Sequence, residues 1–166
     1  MINYPELQAR QYTSIYQELV ALRSQAQHPV QLKLILETSQ LSRSQIIAGC
    51  AMAAAANFDF VKTSTGFNGP GANEENVRLM SACCEKLAEG NAVGRKRMLV
   101  KASGGIRTLQ DAVRMLEAGA SRLGTSGGVW IAKEAKEKVE AGWSTNGAVH
   151  GKARRPSLQT RLFSSY

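Results

Sequence analysis

Short apolar runs alternate with helix-patterned stretches along this chain, and the turns between them are brief. Strict alternation of this kind leaves one economical solution, a parallel sheet with helices on its outside. Residues 30–36 (VQLKLIL), 58–62 (FDFVK), 97–101 (RMLVK) and 121–124 (SRLG) read as strands. Residues 11–27 carry Tyr12, Ile15, Tyr16, Leu19, Val20 and Leu22 near helical spacing, and His28-Pro29 ends that helix. His28 is read as a loop residue with no role. Ser42, Asn73 and Thr108 are placed to cap the next three helices, while Asn57 and Gly119 stand where two of them stop. A last helix is expected from residue 129 to about residue 141. Residues 1–10 read as a strand end or loop, with Pro5 as punctuation.

Strand spacings of about 20–40 residues suit a (β/α) barrel or a doubly wound sheet. Only four full strands are evident, too few for an eight-stranded barrel. The expectation is therefore an α/β fold, with residues 1–141 as one domain and residues 142–166 as a polar, basic, flexible tail.

The 166 residues are enough for one domain with a real core, and a hydrophobic fraction of 43% is that of a globular chain. No apolar run has membrane-spanning length, and Met1-Ile2-Asn3-Tyr4-Pro5 lacks the basic and apolar regions of a signal peptide. Cys50, Cys83 and Cys84 lack metal-ligand spacing and read as reduced thiols on helices of a cytoplasmic protein. Of the net charge of +8, about half falls after residue 132, where seven basic residues face three acidic ones. No basic stripe with interleaved aromatics accompanies it, so nucleic acid ranks last among the partners, behind an anionic small substrate.

Chemistry-bearing residues follow the strands, on the rim where parallel α/β folds place their active sites. Lys62 and Lys101 each close an apolar strand. Lysine is a poor strand residue and is seldom buried alone. Two ammonium groups side by side in a partly dry pocket repel, which lowers the pKa of at least one and frees a neutral amine to attack a carbonyl. Gly104-Gly105, followed by Arg107, and Gly124-Thr125-Ser126-Gly127-Gly128 both lead into helices, where backbone N–H groups can receive a phosphate. Lys33 and Glu37 share one strand face by parity, so Lys33 could pair with a carboxylate in the pocket and Glu37 could hold one of the lysines. A plain structural ion pair explains those two residues equally well.

At these residues a specific likeness emerges. LKLILETSQL, DFVKTSTGFNGPGA with NVRLM after it, VKASGGIRTLQDA and RLGTSGGV stand in an order and spacing that resembles deoxyribose-phosphate aldolase, over residues 4–131. The resemblance implies a partial TIM (β/α)8 barrel, about its last four to five βα units, and a class I lyase needing no metal and no cofactor. The implied reaction is reversible cleavage of 2-deoxy-D-ribose 5-phosphate to D-glyceraldehyde 3-phosphate and acetaldehyde, a step of carbohydrate catabolism. Lys62 matches the Schiff-base lysine, and Lys101 the second lysine that depresses its pKa and shuttles protons. Gly66, Gly104, Gly105, Arg107, Gly124 and Ser126 match the phosphate site, and Lys33 the pocket lysine of the strand before. Tyr166 matches a terminal tyrosine that reaches the site in some members.

The family also carries the first strands of the barrel, and its catalytic aspartate stands just before the motif that Ile2-Asn3-Tyr4-Pro5-Glu6-Leu7 resembles. By that likeness no residue here inherits the aspartate's role. Two expectations follow. The chain alone is poorly active, an impaired barrel fragment that at most binds phosphate or a partner. It is also oligomeric, completed by a second barrel half, or unstable, because open sheet edges invite pairing.

Overall fold

The computed structural model describes residues 1–27, 29–90 and 96–142. His28, most of the expected tail and Tyr166 lie outside the described residues. The elements are α1 (Tyr4–Gln8), α2 (Tyr12–Gln25), β1 (Lys33–Ile35), a 3-10 turn (Thr38–Gln40), α3 (Arg43–Ala55), β2 (Phe60–Lys62), α4 (Glu74–Glu89), β3 (Leu99–Ser103), α5 (Leu109–Glu117), β4 (Arg122–Gly124) and α6 (Gly128–Glu140). The four strands form one sheet in the order β1-β2-β3-β4, every pair parallel.

Local chemistry sets most of the helix ends. Ser42 and Gln45 form a reciprocal capping box at the start of α3, and Thr108 and Asp111 form another at α5. The Asn73 side chain accepts the Asn76 N–H at 2.8 Å to open α4. Asn57 and Gly119, just beyond the ends of α3 and α5, take left-handed backbone at φ 61° and 108°.

The N-terminal segment departs from the expected strand end or loop. Ile2 does lie along the outer edge of β1, donating its N–H to the Ile35 carbonyl at 2.9 Å. The next residues then wind into α1, capped by Asn3, with Pro5 in the first turn, where its missing N–H is not needed. β3 also runs two residues past Lys101, because Ala102 and Ser103 pair with Leu123 and Gly124.

The two sheet faces differ sharply. Leu34, Val61, Val100 and Ala102 point toward the helices and are almost fully buried. They meet Ile46, Cys50 and Ala53 of α3, Val77 and Met80 of α4, and Ala112 and Met115 of α5 in one apolar core. Each fully buried aliphatic side chain there stabilises the fold by about 1.5–3 kcal/mol. α2 joins through Ile15 and Leu19, and its Arg23 bonds the Asp59 carboxylate at 2.6 Å just before β2. Asp59 also accepts the Leu32 N–H at 2.8 Å, so one carboxylate fixes the starts of both β1 and β2. Among the described residues, no helix is long and apolar enough to cross a membrane.

Candidate active site

The opposite sheet face carries the charge. Strand register places Ile35, Lys62, Lys101 and Arg122 in one row across all four strands. One row toward the strand starts are Lys33, Phe60 and Leu99. Neighbouring strands lie about 4.8 Å apart, and register partners point to the same side. Four cationic side chains from four strands therefore share one face.

Phe60 organises the two outer cations. Its ring is 4% exposed. The Lys33 ammonium stands 5.3 Å from the ring centroid and the Arg122 guanidinium 4.7 Å from it. Cation–ring attraction lets two like charges settle close to each other. Lys33 thus finds an aromatic face where a carboxylate was expected; no acidic group lies within ion-pair distance of it among the described residues.

The cost of crowding shows in the protonation equilibria. Lys101 is held below the ordinary lysine range, first by desolvation and then by the charges of Lys33, Lys62 and Arg122. Lys33 is lowered by desolvation, then by Arg122 and Lys62. Both shifts favour neutral amine at lower pH than a solvated lysine allows.

Among the described residues, no lysine pairs with Glu37. Its backbone turns left-handed, φ 57° and ψ 62°, which breaks the parity that would have aimed it with Lys33. The carboxylate, on a residue 1% exposed, accepts the Thr65 N–H at 3.2 Å and the Thr65 hydroxyl. It anchors the loop that follows Lys62.

That loop meets the next glycine turn. Ala72 donates its N–H to the carbonyls of Ser103 and Gly104, at 3.0 and 3.1 Å. Gly71 packs so closely that a Cβ there would lie 2.2 Å from the Gly104 carbonyl carbon. A Cβ on Gly104 would in turn lie 3.6 Å from Gly66 Cα, so Gly66, Gly71 and Gly104 form one backbone cluster. Gly66, Gly104 and Gly105 all have positive φ, at 97°, 85° and 77°. Gly124 sits against this cluster: its carbonyl accepts from the Ser103 hydroxyl at 3.2 Å, and a Cβ on it would be 2.6 Å from Lys101 Cε. The Thr125 hydroxyl donates to the Ile106 carbonyl at 2.6 Å and accepts the Gly127 N–H at 2.9 Å, joining the two turns. Arg107 and Ser126 are exposed on the same rim, at the starts of α5 and α6.

The fold thus brings Lys33, Lys62 and Lys101 onto one face and the glycines of the expected anion cradle onto one rim above it. Arg122 and Phe60 were not singled out by sequence reasoning. Their signal was parity: Phe60 is two residues before Lys62, and Arg122 is two before Gly124. No cluster of three His, Cys, Asp or Glu side chains is placed to hold a metal among the described residues.

Comparison with known proteins points one way. The DeoC/LacD family aldolase profile matches residues 1–154. Deoxyribose-phosphate aldolase of Coccidioides immitis is 52% identical over 136 residues, which cover 82% of this chain and 48% of that one. A Coccidioides immitis crystal structure superposes with a TM-score of 0.74, over 81% of this chain and 50% of the other, at 52% identity. The tetrameric deoxyribose phosphate aldolase of Aeropyrum pernix superposes with a TM-score of 0.66 at 30% identity, covering 75% of this chain and 50% of that one. The chain spans about half the length of the curated relatives it matches. The parallel four-stranded sheet is accordingly a partial (β/α)8 barrel.

Proposed function

Because the chain belongs to the DeoC/LacD family of aldolases, we propose that it acts as a class I aldehyde-lyase on 2-deoxy-D-ribose 5-phosphate, with Lys62 as the Schiff-base nucleophile. The observation that carries this reading is the register pairing of Lys62 with Lys101, beside the glycine cluster of Gly66, Gly71 and Gly104.

The chemistry runs as follows. The neutral Lys62 amine adds to the substrate aldehyde carbon, and loss of water leaves an iminium. The C2–C3 bond breaks as the C3 hydroxyl gives up its proton, and the bond's electron pair moves into an enamine. D-Glyceraldehyde 3-phosphate departs. C2 then takes up a proton, and water hydrolyses the imine to release acetaldehyde and the free amine. Lys101, held below the ordinary lysine range by desolvation and by the neighbouring cations, serves as the proton shuttle. Lys33 adds positive charge to the pocket. Gly66, Gly104, Gly105, Arg107, Gly124 and Ser126 receive the phosphate on the rim, and Tyr166 is a candidate contact from the tail. Cytoplasmic residence fits three cysteines present as free thiols.

Incubation with acetaldehyde and borohydride tests the nucleophile. A reduced adduct on Lys62, absent from Lys62→Ala, is the expected result; no adduct at any lysine overturns it.

A second reading has its own support. The sheet has four strands, so a closed eight-stranded barrel needs further βα units, whichever polypeptide carries them. Val129 and Trp130, 75% and 72% exposed at the start of α6, offer apolar surface beside the β4 rim. On this reading the chain is catalytically impaired by itself, binds phosphate, and associates with a second copy or a complementing barrel half. Turnover of deoxyribose 5-phosphate at the rate of a full-length relative would sink it, as would a sharp monomer in sedimentation.

A further inference from the structure

The charged sheet face holds more positive charge than the proposed reaction uses. An aldehyde brings no charge to its carbonyl end, and on the proposed reading the phosphate is received on the rim. Below Lys62, two further cations converge. Phe60 stands two residues before Lys62 on the same face of β2, about 6.6 Å toward the strand start. Lys33 of β1 is the register partner of Phe60, and its ammonium lies 5.3 Å from the ring centroid. Arg122 starts from the Lys62–Lys101 row on β4 and reaches back across β3, so that its guanidinium lies 4.7 Å from the same centroid. One ring thus gathers cations from both outer strands beneath the nucleophile.

These charges have no acidic partner. Among the described residues, no carboxylate pairs with Lys33, Lys62, Lys101 or Arg122. Glu37, the acidic residue nearest in sequence to Lys33, is taken up by Thr65. The Phe60 ring attracts the guanidinium charge, yet it offers no oxygen to the N–H donors of the guanidinium fork. Arg122 is exposed, which leaves that fork open to a ligand. A planar carboxylate fits it with two parallel bonds, and an anion there relieves the repulsion between Arg122 and Lys33. Position then selects the ligand. The carboxylate would rest on Arg122 while a carbonyl faces Lys62 one row above. A small molecule satisfies both when its carboxylate and carbonyl are adjacent, which describes a 2-oxo acid.

We propose that the Lys62 site also takes 2-oxo acids as carbonyl donors, with the Arg122 guanidinium, set on the Phe60 ring, receiving the carboxylate and Lys33 adding charge beside it. The inference rests on Lys62 as the nucleophile. The Lys62 amine adds to the ketone carbon, and loss of water leaves an iminium that carries the carboxylate. C3 gives a proton to the Lys101 amine, and the C–H electron pair moves into an enamine. The enamine carbon attacks the carbonyl carbon of an acceptor aldehyde, whose oxygen takes up a proton. Water then hydrolyses the iminium, which frees the lysine and a 4-hydroxy-2-oxo acid.

The test compares pyruvate with acetone, its neutral counterpart with a methyl group in place of the carboxylate. The full chain is incubated with each ketone and cyanoborohydride, and reduced adducts are measured by mass spectrometry at Lys62 and at Lys86. Lys86 is exposed on α4, so it reports the intrinsic reactivity of each ketone. The pyruvate-to-acetone ratio at Lys62 is expected to exceed that at Lys86 by about ten-fold or more. In Arg122→Gln it should fall toward the Lys86 ratio, and Arg122→Lys, which keeps the charge without the fork, should recover part of it. Equal ratios at Lys62 and Lys86 in the wild type overturn the inference, as does a Lys62 ratio that Arg122→Gln leaves unchanged. Acetaldehyde run in parallel separates two failures. An acetaldehyde adduct on Lys62 without a preference for pyruvate removes this inference alone, whereas no adduct on Lys62 from any of the three removes the nucleophile with it. The wild-type ratios decide the matter even if the variants fold poorly.

Discussion

Lys62 and Lys101 stand in register on adjacent parallel strands, with Arg122 next to Lys101 in the same row. Opposite charges would make such a row a stabilising cross-strand ladder; like charges oppose the fold. The sheet keeps them together because the other face buries Leu34, Val61, Val100 and Ala102, and that burial outweighs half-solvated repulsion.

Lys101→Met should therefore stabilise the chain, while under the proposed mechanism it removes the proton shuttle. The gain is below about 1 kcal/mol, because the row is open enough for solvent and salt to screen it. Its pH dependence has a definite sign. The folded-state pKa of Lys101 lies below its unfolded value of 10.5, so the unfolded chain binds more protons between the two. Stability of the wild type relative to the variant consequently rises with pH through that window. Paired urea titrations across the window check this; a gap that stays constant or widens contradicts it.

Arg122→Gln removes a charge that depresses both Lys101 and Lys33. Each should become reactive only at higher pH than in the wild type. Lysine acetylation followed residue by residue across pH reports it. An unchanged profile at both lysines would remove Arg122 from any electrostatic role. Phe60→Leu should loosen Lys33 and Arg122 together, since one ring holds both.

Much of this layout was legible because its causes are local. Ser42, Asn73 and Thr108 cap helices by bonding N–H groups three residues away, which a sequence shows directly. Lys62 and Lys101 could be placed on neighbouring strands because alternating β and α segments force parallel pairing. What failed to show depended on distant partners or on a single dihedral. Parity from Lys33 to Glu37 presumes extended backbone throughout, and φ 57° at Glu37 ends it. β3 lengthens through its pairing with β4, which lies beyond an entire helix. The Arg122–Phe60 contact joins strands that are not even neighbours. At Pro5, the same residue that breaks helices also begins them, and only the Asn3 cap decides which.

Gly71→Ala should be among the most damaging single substitutions. The added Cβ would meet the Gly104 backbone at 2.2 Å, and no side-chain rotation relieves a clash with backbone. Displacing either strand-end loop costs on the order of 2–4 kcal/mol and separates Gly66 from Gly104. Gly105→Ala is the control: its Cβ would meet open space, leaving only the strain of φ 77°, about 1 kcal/mol. Thermal unfolding of the pair should show a much larger loss for Gly71→Ala, and equal losses would refute the clash.

Glu37 offers the sharpest separation of loop order from overall stability. Its carboxylate takes both the N–H and the hydroxyl of Thr65, whose Oγ1 also accepts the Phe67 N–H at 3.2 Å. Glu37→Ala leaves these donors without their acceptor and should cost about 1–3 kcal/mol. Glu37→Gln keeps one acceptor oxygen and should cost less. Phe67 is 97% exposed, so chymotrypsin cleavage after it reads the loop directly. Cleavage should accelerate in Glu37→Ala well before global unfolding, with Glu37→Gln between the variant and wild type. Borohydride trapping at Lys62 should weaken in the same order, because Thr65, which Glu37 holds, lies three residues after Lys62. Unchanged cleavage at Phe67 in Glu37→Ala would show that the loop is held by Ala72 and Gly71 against the Ser103–Gly104 turn alone.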